Sequence, residues 1–186
     1  MKRAVKIGFS VLTVLVLLIV FIVFAALKVV ESFSNHAFAD HVAVAVGGDS
    51  RLTLYEGLPH DQSESELFET EKKEKSTVER RDFFFYEETL LVSNEDEEEF
   101  RRFSKAIIPI ADDEEPRACP PIHPDYELVW VRGPNKASFV VCFGCQVIIV
   151  SAGGRDKECV VPNFTEFASL LKKHRNQRPV PEILPW

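Results

Sequence analysis

Hydrophobic and polar positions alternate in three different ways along this chain, and each predicts a different element. From Ile7 to Leu27, 18 of 21 consecutive residues are apolar, and the exceptions are Gly8, Ser10 and Thr13. The run has no polar stripe, so it does not suit a helix half-buried in a soluble core. At ~1.5 Å per residue it spans ~31 Å, the thickness of a bilayer hydrocarbon core. A transmembrane helix is therefore expected over residues 7–30, after a short N-terminus at 1–6.

Beyond it the periods shorten. Arg51-Leu52-Thr53-Leu54-Tyr55 and Tyr126-Glu127-Leu128-Val129-Trp130-Val131 alternate with the period of a strand. The aromatic run Phe83-Phe84-Phe85-Tyr86 lies in a β-rich stretch, Thr77–Val92, that predicts one or two strands. Its rings either line a groove or, as the plainer expectation, fill the core alternately. Turns at Gly133–Lys136 and Gly153–Asp156 divide the remainder into an antiparallel meander of two hairpins. Helical spacing appears three times. Ser63 with Glu66 reads as a capping box opening a surface helix to about Lys75. Asn94 opens a second helix, with Glu97–Arg101 and Glu98–Arg102 pairs and an apolar face of Phe100, Phe103 and Ile107. Asn163 and Glu166 cap a third, carrying Phe164, Phe167, Leu170, Leu171 and His174 on one side. The result is an α+β domain at 50–178, a stalk at 31–49 before it and an extended tail at 179–186.

Charge sets the orientation. Lys2, Arg3 and Lys6 precede the apolar run, so the N-terminus is expected in the cytoplasm and the domain outside it. A cleaved signal peptide is the rival reading, because Ala37-Phe38-Ala39 before Asp40 has the small-x-small pattern of a cleavage site. The apolar run is longer than a typical signal core and ends well short of that site, which favours an anchor. From Glu31 onward, 29 acidic residues meet 18 of the 22 basic ones. That excess argues against nucleic acid as a partner. The acidic run Glu95–Glu99 lacks the alternating ligands and central glycine of a calcium loop, and suits a helix N-terminus instead.

Candidate chemistry is confined to a few side chains. All four cysteines, Cys119, Cys142, Cys145 and Cys159, follow the membrane segment, where disulfides form. Three pairings are open to them. Residues three apart in a regular strand point to opposite faces, so Cys142 and Cys145 meet only across a bulge or tight turn, for which Gly144 supplies the freedom. Such a turn permits a Cys142–Cys145 disulfide, a thiol–disulfide site, or half of a zinc site completed by Cys119 and His123. Structural disulfides or inert thiols are the leading reading, since apolar β-structure around the pair raises thiol pKa values. No G-x-S-x-G elbow, H-E-x-x-H pair or phosphate-binding loop is present. A hydrolase built on His60 and Glu56 is a remote reading, because loop histidines are usually just solvated.

Three motifs, Tyr55-Glu56-Gly57-Leu58-Pro59-His60, His123-Pro124-Asp125-Tyr126 and Val141-Cys142-Phe143-Gly144-Cys145, carry a family likeness. Over roughly residues 50–178 the chain resembles a group of exported bacterial proteins with no assigned activity. The resemblance implies a bacterial source and a single surface or core shared by the motifs, with the Tyr55–His60 turn near Cys142 and Cys145. It implies no catalytic or binding residue. The sequence thus leads to an anchored extracytoplasmic domain that binds a partner, such as an envelope protein, without assigned cofactor or catalytic residues. A metal or thiol–disulfide site at Cys142 and Cys145 is the alternative.

Overall fold

A computed structural model describes residues 2–60, 63–110 and 122–178. The chain divides into two compact units, Met1–Ala39 and Asp40–Trp186. The first belongs to helix α1, Lys2–Ala45, whose described part from Val14 onward is long and apolar enough to cross a membrane. Side chains from Val14 to Leu27 lie exposed all round the helix, as a uniformly apolar sequence requires. The expected stalk at 31–49 is helical as far as Ala45, because Ser32–Ala45 contains neither proline nor glycine to break it.

The second unit is α+β. Among the described residues its main sheet is antiparallel, with strands in the order β1-β5-β6-β7-β8-β4. These are β1 Arg51–Glu56, β4 Ile108–Pro109, β5 Tyr126–Arg132, β6 Asn135–Cys142, β7 Val147–Ala152 and β8 Arg155–Val160. The meander thus contains three hairpins rather than two. The stretch Ser138–Ser151, expected as continuous β-structure, folds back on itself at Phe143–Gln146, and Cys142 pairs with Val147. The turn's left-handed residue is Gln146, at φ 53°, and not Gly144.

Strands β2 Thr77–Arg80 and β3 Phe83–Tyr86 form a separate hairpin. Its two-residue turn places Arg81 and Asp82 at φ 55° and 65°. Both central residues of a type I′ turn need such angles, because only then does the turn match the twist of the strands. The aromatic run does not alternate cleanly. Phe85 and Tyr86 are buried, whereas Phe83 and Phe84 are half-buried.

Three helices complete the unit: α2 Ser65–Glu74, α3 Asn94–Lys105 and α4 Phe164–Lys173. α2 has no buried residue, as expected of a surface helix. α3 and α4 cover one face of the main sheet. Phe167 of α4 meets Phe100 and Phe103 of α3 at ring-centroid distances of 6.2 and 5.2 Å. Below them Trp130 of β5 is fully buried, and its Nε1 donates to Ser104 Oγ at 3.0 Å. Each large side chain of this kind contributes ~1.5–3 kcal/mol by leaving water.

The caps depart from expectation. Ser63 does not cap α2; the position belongs to Glu64, whose carboxylate turns back to the His60 amide at 2.8 Å. Ser93 rather than Asn94 caps α3, accepting from the Asp96 amide at 3.1 Å. Asn163 precedes α4 in a left-handed conformation (φ 57°) with no side-chain cap, so Glu166 completes no capping box. Glu97–Arg101 forms as expected at 2.8 Å, while Glu98 pairs with Arg101 and Glu99 with Arg102, one step from the Glu98–Arg102 spacing. The expected loop over 111–124 and the tail at 179–186 lie largely or wholly outside the described residues.

Candidate functional site

β1 ends in a turn that carries Gly57, Leu58, Pro59 and His60. β5 is preceded by His123, Pro124 and Asp125. β6 ends at Cys142. Because β1 and β6 flank β5, the sheet brings all three segments to the same end. The Gly57 amide donates to the Asp125 carbonyl at 2.8 Å, and the Asp125 amide donates to the Val141 carbonyl at 2.8 Å. A Cβ on Gly57 would lie 1.9 Å from the Pro124 carbonyl oxygen, so only glycine permits this approach. His60 stacks on His123, with ring centroids 4.4 Å apart and planes 22° from parallel.

The segment after α4 closes over this end. Glu56, only 1% exposed, accepts the amides of Asn176, Gln177 and Arg178 at 2.9, 2.8 and 3.0 Å. The Arg178 guanidinium then reaches Asp125 Oδ1 at 3.0 Å, Glu64 Oε2 at 2.8 Å and His123 Nε2 at 3.2 Å. Since arginine only donates, His123 Nε2 is the acceptor and its proton sits on Nδ1. Burial, then the charges of Arg178 and His60, push the His123 pKa down to about 3. The imidazole is therefore neutral at physiological pH. Burial also pushes the Asp125 carboxyl up, against the pull of the Phe143 amide and Arg178. For Glu64, burial acts upward, but the His60 amide and Arg178 hold it below its usual value.

Cys142 lies at the edge of this cluster. Its sulfur is 3.1 Å from that of Cys145, and its thiol is free. The Cys142–Cys145 disulfide that spacing allows is thus not formed. Cys145 is disulfide-bonded, and Cys159 is a second free thiol. The turn does aim both sulfurs to one side, as either chemical reading required. Phe143 between them packs on Tyr126 and on Phe164 of α4, at 5.6 and 6.3 Å between centroids. Burial raises the Cys142 thiol, opposed by the amides of Cys145, His123 and Gly144 that point at its sulfur. Burial pushes Cys159 up to about 12.

The candidate zinc ligands are only partly brought together. Cys119 lies outside the described residues, Cys145 is held in a disulfide, and His123 offers Nε2 to Arg178. Among the described residues no group of three or more His, Cys, Asp or Glu is arranged to hold a metal ion. Glu56 and His60, four positions apart, take different partners. The first caps the backbone at 176–178, and the second stacks on His123.

Next to the histidines a cleft of about 320 Å³ is lined by Leu58, Pro59, Phe68, Phe83, Phe84 and Pro124, with Lys72 at its edge. Phe68 of α2 meets Phe84 of β3 edge-on at 6.0 Å, and Lys72 Nζ stands 3.7 Å above the Phe84 ring. The sequence shows the aromatic run and Phe68 on the thin apolar face of α2, but not that they meet, because a cleft between a surface helix and a hairpin leaves no local period. Arg175 and Arg178 were missed for the same reason. The chain matches no known protein family, and no curated protein or solved structure is significantly similar to it.

Proposed function

We propose that this chain is a single-pass membrane protein, N-terminus in the cytoplasm, whose domain binds an envelope protein partner on the other side. The basic residues Lys2, Arg3 and Lys6 support the orientation. A helix that runs unbroken across Ala37–Ala39 supports an anchor over a cleaved signal. The net negative domain repels phosphate, so nucleic acid is not the partner.

The binding reading rests on the cleft beside the His60–His123 stack. Two phenylalanines from one hairpin, Phe83 and Phe84, stay half-buried there beside Phe68, although burying them fully would stabilise the fold. Its size suits one or two apolar or aromatic side chains from a partner polypeptide, and since Lys72 and Asp82 both line it, apolar contact rather than charge carries the fit. A photo-crosslinking residue placed at Phe83, then at Phe84, in the full chain in living cells tests this. Both sites are expected to yield the same discrete adduct, which a Phe68→Ser substitution removes. Adducts that are absent, or that form equally from Lys136 on β6, would overturn the reading. Protease added to the exterior of cells with a permeabilised outer layer should digest the domain and spare the N-terminus.

A further inference from the structure

We infer that the second face of the main sheet carries a separate binding site, for a small polyhydroxy acid such as a sugar acid. α3 takes the Trp130 side of the sheet, so Val129 and Glu127, which alternate with Trp130 along β5, face the other way. Register carries that face across the strands. Val129 lies opposite Ser138, Ser138 opposite Ser151, and Ser151 opposite Asp156. Lys136, two residues before Ser138, is on the same side. The β2–β3 hairpin meets this row with two arginines. Arg80 pairs with Glu127 and lies 4.4 Å from the Tyr55 ring centroid, and Arg81 Nη2 reaches Asp156 Oδ2 at 2.8 Å. These groups and the β7–β8 turn at Gly153, Gly154 and Arg155 line a cleft of about 430 Å³. Small-molecule sites usually enclose ~300–1,000 Å³. Among the described residues it shares no lining side chain with the apolar cleft beside His60, so either can bind without the other.

The lining carries four cations, Arg80, Arg81, Lys136 and Arg155, against two carboxylates, Glu127 and Asp156. The cleft is thus positive within a net negative domain. A small acid gains from the local charge, whereas a long polyanion meets repulsion from the acidic surroundings. The two carboxylates decide what must accompany the acid. Glu127 is 1% exposed and accepts from Arg80 and the Ser138 hydroxyl, while Asp156 accepts the Ser151 hydroxyl at 2.6 Å. Each serine spends its proton on a carboxylate, so these four side chains offer a ligand only acceptor oxygens. Hydroxyl groups on the ligand supply the matching donors. Sulfate and acetate bring none, and a neutral sugar leaves the cations unanswered. Arg81 is the receptor for the acid group. Its buried Nη1 has no hydrogen-bond partner, so turning that edge of the guanidinium toward a carboxylate breaks no bond at this atom. Its backbone stands at φ 55°, an angle that long side chains seldom adopt. Such conformations persist where the placement of a side chain matters to function.

Isothermal titration calorimetry on the full chain in detergent micelles at low salt tests this. The probes are sodium glucuronate, galacturonate and gluconate, beside glucose, acetate and sulfate. One or more of the three polyhydroxy acids should bind saturably at a single site, about tenfold or more tighter than glucose, acetate or sulfate. Added salt should weaken that binding. Arg81→Asn removes the receptor but suits the left-handed turn, and it should lower affinity about tenfold or more. Lys72→Ala, in the apolar cleft, should leave it unchanged. Saturable binding of none of the three acids, sulfate bound as tightly as they are, or wild-type affinity in Arg81→Asn would each overturn the inference. Because the comparison of ligands needs only the wild-type chain, misfolding of a variant would not obscure the result.

Discussion

The rings of His60 and His123 lie face to face, 63 positions apart in sequence and 4.4 Å apart between centroids. The stack joins the turn after β1 to the approach to β5, and Arg178 seals it from the C-terminal side. His123 stands directly against the cationic arginine, which favours its neutral form.

That preference makes stability depend on pH. The folded His123 pKa is depressed to about 3, whereas an unfolded histidine titrates near 6.5. The unfolded state therefore binds the extra proton first. The histidine's contribution is fully present above pH ~6.5 and is lost as pH falls toward 3. Between pH 7 and 5 the loss is about 2 kcal/mol. Thermal melts followed by circular dichroism should show this fall in the wild type and a flatter profile for His123→Gln. Parallel profiles would exclude the assigned role.

Glu56 organises the C-terminal segment. Its carboxylate satisfies three amides at 176–178, and Glu56→Ala leaves those donors without their acceptor. A fully buried donor left unsatisfied costs about 1–3 kcal/mol, and these are partly buried, with Asn176 exposed, so each costs less. A loss of roughly 3 kcal/mol in urea unfolding is expected, with earlier proteolysis near Arg178. Glu56→Gln keeps one acceptor oxygen and should lose about half as much.

Gly57→Ala tests the contact that holds two of the motifs together. The added methyl would meet the Pro124 carbonyl at 1.9 Å, and that oxygen is backbone, which cannot swing aside as a flexible side chain would. Overpacking of this kind costs about 1–3 kcal/mol or more. Amide exchange should quicken at Asp125 and Phe143 first, because their hydrogen bonds depend on this registry.

Arg101 is a charged residue inside the α3 face. It is 4% exposed, its Nη1 reaches the Val46 carbonyl at 3.1 Å as well as Gly47, and its guanidinium lies 4.5 Å from the Trp130 ring centroid. Arg101→Ala should cost about 3–5 kcal/mol, since Glu97 and two carbonyls lose their partner at once. Arg101→Lys should recover less than half, because an ammonium supplies neither the planar fork nor the stack. Guanidinium denaturation of both variants measures the difference.

Local periodicity carried much of the fold. The apolar run, the alternating residues of β1 and β5, and the amphipathic faces of α3 and α4 each state their own structure, because burial of one side chain predicts burial of the next. Caps were less legible. Glu64 left the role of a surface acid for the His60 amide and Arg178, and Asn163 used its backbone rather than its side chain. Several polar residues can serve each cap, and the choice depends on partners far along the chain.

By itself, the sequence determined one helix fit to cross a membrane and an α+β domain beyond it, since hydrophobic patterning acts over a few neighbouring residues. Only the tertiary structure decided that Glu56, His60, His123, Asp125, Cys142 and Arg178 share one end of a sheet. Those contacts span up to 122 positions, and their geometry comes from strand order and from the segment after α4. It also decided that Cys142 faces Cys145 as a free thiol, because a turn at Phe143–Gln146 replaced the straight strand that spacing alone would allow.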